Sequence, residues 1–244
     1  MPDHSIQPSV QGKKRGALLK ILKWGGLVLI AFPVGLILCL RFIPPPISTF
    51  MIARGLDGVY NPEKQTTIAY QWVNWNDISP QLMLAVVAAE DQKFPYHSGF
   101  DFTSISEAIE ERRAGGRVRG ASTITQQVAK NLFLWHGRSY LRKGLEAYLT
   151  ILIELLWSKR RVLEVYVNIA EFGDGIYGVS AAAEKFFRKQ PAALTRQEAA
   201  LLAAVLPNPK MFKADAPSAY LRSRSQHILR QMHNLGGTSY LKNL

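Results

Sequence analysis

The stretch SPQLMLAVVAAEDQKFPYHSGFD, residues 79–101, decides the fold and contains the first candidate for chemistry. Ser79 followed by Pro80 is typical of a helix start, because proline suits the first helical position. The apolar run that follows predicts a helix. This helix runs out at Glu90 and Asp91, next to aromatic residues and a glycine.

The acidic pair at the end of this helix has two interpretations. Negative charge is unfavourable at a helix C-terminus, where the helix dipole is already negative. A solvated helix end is one explanation. The other is a carboxylate at Glu90 that Phe94 and Phe100 partly shield from water, so that its basicity is high enough to accept a hydroxyl proton. Taken alone, the residues leave both open.

Helix signals dominate the rest of the chain. Residues 139–170 lack proline, and we expect two helices there that part near residues 157–158. Residues 66–73 predict a short strand or an extended segment. The fold class is therefore mainly α, a compact bundle with long loops. Capping-box spacing marks two further helix starts: Ser104 with Glu107, and Thr195 with Glu198.

The composition fits one sizeable domain with an appendage. Of 244 residues, 48% are hydrophobic and 20% charged, which excludes general disorder. A net charge of +12 predicts an anionic partner: nucleic acid, acidic lipid or a phosphorylated substrate. The single cysteine, Cys39, cannot form an intrachain disulfide, and no Cys/His cluster has zinc-ligand spacing.

The N-terminal region predicts a membrane anchor. Residues 24–40 are 17 uncharged residues, which as a helix would span about 26 Å. A cleavable signal peptide is the alternative, but no small-x-small site follows the apolar run. We predict a basic cytoplasmic tail over residues 1–23, a transmembrane anchor over 24–43 and an extracytoplasmic domain over 44–244. Outside the membrane we exclude nucleic acid and expect contact with membrane lipids.

Two further strings have the polar residues that a phosphorylated sugar would need. Residues 120–131, GASTITQQVAKN, combine clustered hydrogen-bonding groups with a helix start, and a helix N-terminus favours anions. An N-cap alone would explain Ser122 or Thr123 equally well. In RSYLRKGLE, residues 138–146, Arg142 and Glu146 are four apart on a presumed helix. They form either a surface ion pair or part of a cationic cluster for a pyrophosphate.

The fourth string is KRRVLEVYVNIAEFG, residues 159–173. Glu164 and Asn168 share one helix face in it. A buried polar stripe that braces the site explains them as well as direct chemistry does.

In their order and joint content, the four strings closely resemble the peptidoglycan glycosyltransferase family. That family includes monofunctional enzymes and the N-terminal domain of bifunctional penicillin-binding proteins. Its strings are E-D-x-x-F-x-x-H-x-G-x-D, G-x-S-T-I-T-Q-Q-x-x-K-N, R-K-x-x-E and K-x-x-[IV]-L-E-x-Y-x-N. The length and single anchor resemble the monofunctional biosynthetic form. Departures are Ala121, where glycine is common, and residues 186–188, Phe-Phe-Arg, where Tyr-Phe-Gly is usual.

The resemblance implies a lysozyme-like, mainly helical fold and a polymerising activity. The growing lipid-linked glycan would be transferred to the 4-hydroxyl of lipid II with inversion, releasing undecaprenyl pyrophosphate. The implied location is the bacterial cytoplasmic (inner) membrane, with the catalytic domain in the periplasm. Implied partners are lipid II, lipid-linked glycan, membrane lipids and other cell-wall synthesis or division proteins.

The resemblance also implies roles for individual residues. Glu90 matches the base, and Glu146 matches a second essential carboxylate on the leaving-group side. A divalent cation, Mg²⁺ or Mn²⁺, acting through Glu146 is an open alternative, and no organic cofactor is expected. The remaining implied residues are Lys130, Arg138, Arg142 and Lys143 for the pyrophosphate, Ser122, Gln126 and Gln127 for the cleft, and Asp91, Phe94, His97, Glu164 and Asn168 for organising the site.

Two other functions are alternatives. A lysozyme-like enzyme that cleaves the wall could also use a glutamate on a helical fold, but it would need no pyrophosphate-binding cations. An inactive scaffold of the wall-synthesis machinery would bind partners without turnover.

Overall fold

A computed structural model describes residues 23, 24, 28, 31–61, 63, 67–116, 120–137 and 139–244. Most of the predicted cytoplasmic tail, residues 1–22, and the candidate pyrophosphate ligand Arg138 lie outside the described residues. Within the described part of the chain, no helix is both long and apolar enough to cross a membrane. The three predicted segments of the chain stay predictions.

The described residues are mainly helical, as the sequence predicts. Residues 31–40 form helix α1. The later helices are α2 (Thr49–Tyr60), α3 (Pro80–Glu90), α4 (Phe102–Arg113), α5 (Ile124–Phe133), α6 (Tyr140–Leu156), α7 (Lys159–Ile169), α8 (Gly178–Phe187), α9 (Arg196–Val205) and α10 (Ala219–Asn234).

A small sheet lies against the helices. Its strands are β1 (Ala69–Tyr70), β2 (Glu171–Gly173) and β3 (Ile176–Tyr177), in the order β1-β3-β2. Strand β1 is parallel to β3, and β2 is antiparallel to it. Because β1 lies within residues 66–73, the predicted short strand is confirmed, although it is only two residues long.

Helix α3 is the centre of the core. Every residue from Leu82 to Ala88 exposes 3% or less of its surface. The helix packs against α9 and α10 and touches α7. Helix α9 has alanine at positions 199, 200, 203 and 204, all fully buried, and such small side chains let two helices approach closely. Since α3 is enclosed on every side, the position of its last residue, Glu90, is set by the core.

Local signals located most helix boundaries. The break at residues 157–158 is confirmed, with Ser158 as the N-cap of α7. The capping box of Thr195 and Glu198 is also confirmed. Ser79 precedes α3 as predicted, but its hydroxyl donates to the Leu194 carbonyl (2.8 Å) and does not cap the helix.

The predicted start of α4 at Ser104 is wrong. The helix begins at Phe102, and its N-cap is Asp101. The Asp101 carboxylate accepts from the backbone N–H of Ser104 (3.0 Å) and from its hydroxyl (2.6 Å). Ser104 is therefore the partner of a cap one turn earlier, because an aspartate offers the stronger acceptor.

Helix α7 braces the segment before α3. Asn168 is fully buried, and its side chain exchanges two hydrogen bonds of 2.9 Å with the backbone of Val73. Glu164 accepts from the backbone N–H of Trp75 (2.7 Å) and from Arg161 (2.7 Å). These contacts agree with the bracing alternative for Glu164 and Asn168, not with direct chemistry.

We expect Asn168→Ala to lower the free energy of unfolding by about 2–4 kcal/mol, because it leaves both backbone groups of Val73 buried without partners. Chemical denaturation of the full chain in detergent measures this. Asn243→Ala is the control, because Asn243 makes one exposed hydrogen bond to Tyr96, and we expect a change within about 0.5 kcal/mol. A loss below about 1 kcal/mol for Asn168→Ala would contradict the bracing role.

Candidate active site

Glu90, the last residue of α3, lies at the edge of a cleft of about 420 Å³. The lining also includes Thr123, which is the residue before α5, its neighbour Ser122, and Lys93 and Asp101. The side chain of Glu90 exposes 15% of its surface, so it is shielded but reachable from the cleft. Ser122 lies where the sequence predicts a cleft residue.

Two side chains hold the Glu90 carboxylate. Gln127 on α5 donates from Nε2 to Oε2 (2.9 Å), and Arg224 on α10 lies 3.8 Å from Oε1. Gln127 is itself fixed, because its Oε1 accepts from the hydroxyl of the buried Tyr166 (3.1 Å). Gln127 therefore links Tyr166 on α7 to Glu90 and sets the orientation of the carboxylate.

The pKa of Glu90 is raised above its usual value. Loss of solvent is the main cause, and the charge of Asp91 adds to it. The hydrogen bond from Gln127 and the charges of Arg224 and Lys130 act in the opposite direction. A carboxylate with a raised pKa binds a proton more readily than a solvated one does.

The neighbouring carboxylate, Asp91, is a structural link. His97 approaches it with Nε2 at 2.9 and 3.1 Å from the two oxygens, and the backbone N–H of Ile124 donates to Oδ2 (3.0 Å). Ile124 is the first residue of α5, so the helix end that we predicted as an anion site already holds Asp91. The first N–H of α5 is therefore not free for a substrate anion, and the prediction of an anion site there stays a prediction.

Aromatic packing supports the loop after Asp91. Phe94 is fully buried, and its ring lies edge-on to His97 at 6.2 Å. Lys159 on α7 places its ammonium 4.6 Å from the centre of the Phe94 ring. Asp91, Phe94 and His97 thus lie together, in positions that suit the organising role expected of them.

Gln126 lies in a capping box and not on the cleft wall. Its side-chain oxygen accepts from the backbone N–H of Thr123 (3.0 Å), and the backbone N–H of Gln126 donates to the Thr123 hydroxyl (3.3 Å). The residue is buried. The structure thus separates Gln126, which stabilises the start of α5, from Gln127, which contacts Glu90.

A second cluster surrounds Glu146 on α6. This carboxylate exposes only 3% of its surface. Arg142 donates from Nη1 to Oε2 (2.8 Å), and Lys143 donates from Nζ to Oε1 (2.5 Å). The pair of Arg142 and Glu146 is therefore not a surface ion pair, and the two oxygens of Glu146 are committed to cations.

Lys130 on α5 connects the two clusters. Burial lowers its pKa, and the positive charges of Arg142 and Lys143 lower it further. The negative charges of Glu146 and Glu90 raise it, so both carboxylates are near enough to act on the ammonium group. Three cations thus face one buried carboxylate, which leaves an excess of positive charge beside Glu90.

The surroundings of Glu146 do not fit a divalent metal ion. Both of its oxygens already accept from cations, and a Mg²⁺ or Mn²⁺ ion bound there would place two further positive charges beside Arg142 and Lys143. No group of three or more His, Cys, Asp or Glu side chains among the described residues is arranged to hold a metal ion. We therefore derive no step through a metal.

Two residues of this site were not among the expected site residues, although Tyr166 occupies the tyrosine position of the fourth string. Tyr166 lies 39 positions after Gln127, and Arg224 reaches Glu90 from the far end of the chain. Both contacts depend on how α7 and α10 pack, which no local pattern reveals.

Residues 60–233 match the sequence profile of a family described as Transglycosylase. The chain belongs to the transglycosylase family. The match includes Glu90, Lys130 and Glu146, together with the helices that hold them.

Named relatives of similar length support the assignment. A protein of Xanthomonas campestris pv. campestris (strain B100) is 52% identical over 224 residues, which cover 91% of each chain. One of Escherichia coli (strain SMS-3-5 / SECEC) is 54% identical over 216 residues, 88% of this chain and 89% of the relative. One of Mannheimia succiniciproducens is 51% identical over 215 residues, 88% of each. All three are named biosynthetic peptidoglycan transglycosylase.

We expect Arg224→Gln to move the acidic limb of the pH profile of kcat/KM to higher pH. The guanidinium lowers the pKa of Glu90, so its removal raises that pKa, and protonation then inactivates the base at a higher pH. The rate should fall most below neutral pH and little at alkaline pH. Arg222→Gln is the matched control, since Arg222 is an exposed arginine on the same helix. An unshifted limb in the Arg224 variant would contradict the electrostatic role.

Proposed function

We propose that this transglycosylase polymerises glycan strands of peptidoglycan. It transfers a growing lipid-linked glycan to the 4-hydroxyl of lipid II and releases undecaprenyl pyrophosphate. One observation carries the proposal. Glu90 is a shielded carboxylate with a raised pKa, and it lies beside a cluster in which three cations share one carboxylate, Glu146. Membership of the family and the names of the relatives support it.

Glu90 is suited to the acceptor side of this reaction. Its carboxylate takes the proton of the 4-hydroxyl while the oxygen of that hydroxyl attacks the anomeric carbon of the donor. The bond from that carbon to the pyrophosphate breaks in the same displacement, so the configuration inverts. Gln127 fixes the direction of the carboxylate, and the cleft beside Ser122 offers space for the acceptor sugar.

The cations are suited to the donor side. The departing pyrophosphate gains negative charge as the bond breaks, and Lys130, Arg142 and Lys143 can stabilise that charge. Arg138, which lies outside the described residues, is proposed as a further ligand from its place in the motif. Glu146 keeps the cations together, and we assign it a positioning role because both oxygens are occupied.

The cation cluster also separates this proposal from wall cleavage. A glycosidase protonates a neutral leaving group with a carboxylic acid and needs no positive charge there. A cluster with three cations and one carboxylate is costly to assemble unless an anion completes it. The arrangement therefore favours a substrate with a pyrophosphate leaving group over polymeric glycan.

An enzyme of peptidoglycan synthesis works in the cell envelope, and we propose a single-pass anchor over residues 24–43 with residues 1–23 in the cytoplasm. The uncharged run of residues 24–40 and the preceding lysines and arginine support this topology. The domain from residue 44 onward would then act at the outer face of the cytoplasmic membrane, where lipid-linked substrates reside. Work beside other wall-synthesis or division proteins stays a prediction.

A membrane-impermeant thiol reagent tests the topology in spheroplasts. Ser239→Cys, in the domain, should be labelled, whereas Ser5→Cys, in the tail, should be labelled only after lysis. The variants are made with Cys39→Ser, which removes the native thiol. Labelling of Ser5→Cys in intact spheroplasts would sink the proposed orientation.

We expect Glu90→Gln to reduce polymerisation of lipid II at least about 100-fold, because the amide cannot accept the proton. The amide is nearly the same size as the carboxylate, so the thermal unfolding midpoint should change little. The assay measures the length of the glycan chains formed from lipid II alone. Glu107→Gln is the matched control, because Glu107 lines the same cleft but is exposed.

The same assay separates the alternatives. Retained activity in Glu90→Gln would refute the role of Glu90 as the base. Digestion of isolated sacculi, without consumption of lipid II, would favour a wall-cleaving enzyme. Binding of wall-synthesis proteins, with no turnover by the wild type, would favour an inactive scaffold.

A further inference from the structure

An open apolar groove of about 430 Å³ lies where α1 packs beside α5 and α6. Phe32 and Leu36 on α1 form one wall, Leu132 and Phe133 on α5 the floor, and Leu145 and Leu149 on α6 the other wall. The hydroxyl of Thr49, also in the groove, is already bonded to the carbonyls of Asn131 (3.1 Å) and Leu134 (2.7 Å). The groove therefore offers an apolar surface, apart from the buried hydroxyl of Tyr148, which lines it and has no hydrogen-bond partner among the described residues.

Hydrogen bonds to the end of α1 give the groove a defined shape. The indole N–H of Trp157 donates to the carbonyl of Ile37 (2.7 Å). Arg161 donates to the carbonyls of Leu40 (2.8 and 3.1 Å) and Ile43 (2.8 Å). The carbonyl of Leu40 is one that a helix C-terminus leaves free, and Arg161 places a cation at this negative end of the helix. Helix α1 is thus fixed to the domain at this end, and the groove is a permanent feature of the fold.

The groove continues from the cation cluster. Lys130 lies three residues before Phe133 on α5, and Arg142 lies three residues before Leu145 on α6. Residues three apart on a helix are neighbours on one face. The same two helices therefore present cations and then, about one turn further, the apolar lining of the groove.

We propose that this groove binds the isoprenoid chain of the lipid-linked substrate, over the units nearest the pyrophosphate. The proposal rests on the proposed function, since it places a pyrophosphate at Lys130 and Arg142. An amphiphile whose anionic head lies at those cations has its apolar chain at the entrance of the groove. A bulk phospholipid has no second phosphate for the cluster, so we assign the groove to the substrate chain and not to membrane acyl chains in general.

The groove would act as a guide for the donor. The bilayer is itself apolar, so moving a chain from lipid into the groove gains packing more than hydrophobic free energy. A chain held on both sides fixes the direction in which the pyrophosphate enters the cluster. Correct placement of the reacting carbon relative to Glu90 lowers the activation free energy by far more than the packing contributes to the free energy of binding.

Substrates of different chain length test the proposal with the full-length protein in detergent. Lipid II analogues with isoprenoid chains of 5, 10 and 20 carbons are polymerised, and kcat and KM are measured for each. We expect the wild-type kcat/KM to rise at least about tenfold from the shortest to the longest chain, since a longer chain fills more of the groove and places the pyrophosphate more precisely. Leu145→Trp and Leu36→Trp, which fill the groove from its two walls, should reduce that advantage to about threefold or less.

Matched controls lie on the same helix. Ile151 and Leu155 are exposed on α6 and outside the groove lining. Ile151→Trp and Leu155→Trp should keep the full dependence on chain length. If they lose it as the groove variants do, the effect belongs to general detergent contact and the proposal fails. If all variants keep it, the chain binds elsewhere and the proposal also fails, while the polymerase activity stands. Failure of the wild type to polymerise any analogue would instead overturn the proposed function.

Crosslinking identifies the occupant directly. An undecaprenyl pyrophosphate with a diazirine on an isoprene unit near the pyrophosphate is photolysed with the full-length protein, and the labelled peptides are sequenced. Labels on α1, α5 and α6 that unlabelled undecaprenyl pyrophosphate removes would support the proposal. Equal removal by phosphatidylglycerol would show a general acyl-chain groove and overturn it. Labels confined to other surfaces would overturn it as well.

Discussion

The carboxylate of Asp91 is the constraint on which the site depends. It lies one residue after the base and accepts from His97 and from the first N–H of α5. A buried carboxylate needs several donors, so its position is stable only where both of these groups meet it. The contact joins the end of α3 to the start of α5. Together with the core packing of α3 and the hydrogen bond from Gln127, this contact fixes the separation of Glu90 from the residues of α5.

Helix α5 then sets the geometry of the whole site. Gln127, in its first turn, orients Glu90, and Lys130, three residues later, faces both carboxylates. Further along, Leu132 and Phe133 form the floor of the apolar groove. Helix α5 thus positions the carboxylate of Glu90, carries the cation Lys130 and contributes to the apolar groove. Asp91 and the capping box of Thr123 hold the start of this helix in place. Because one helix positions all three features, their relative positions vary little, and small misplacements of reacting groups lower the rate of catalysis strongly.

The sequence predicted those features that depend on neighbours along the chain. The break before α7 and the capping box of α9 follow from a serine at the break and from Thr195 with Glu198, so local chemistry suffices. It failed where two local signals competed: Asp101 outcompeted Ser104 as the cap of α4. The adjacent glutamines show a finer limit, because the sequence treats Gln126 and Gln127 alike. Only the helical rotation of about 100° between them directs one to the cap and the other to Glu90.

Long-range packing set the rest. The contact of Tyr166 with Gln127 could not be predicted, because it forms only when α7 packs against α5. The contact of Arg224 with Glu90 likewise depends on the packing of α10 beside α3. Motif order had placed Glu90 and Lys130 in one site. It could not supply the hydrogen bond that orients the carboxylate, nor the charge that opposes its protonation.

The burial of Glu146 gives the second carboxylate a role distinct from that of the first. Both oxygens accept from cations at hydrogen-bond distance, and the side chain exposes only 3% of its surface, so a substrate has little access to it. Its charge instead holds Arg142, Lys143 and Lys130 together against their mutual repulsion before any substrate arrives. Donors fixed in advance stabilise a developing charge without reorganisation during the reaction. Because one carboxylate cannot neutralise three cations, the cluster keeps a positive excess, and a departing pyrophosphate is an anion that can complete it. In the proposed reaction, Glu90 and Glu146 thus have separate roles: the first accepts the proton, and the second positions the charges that receive the leaving group.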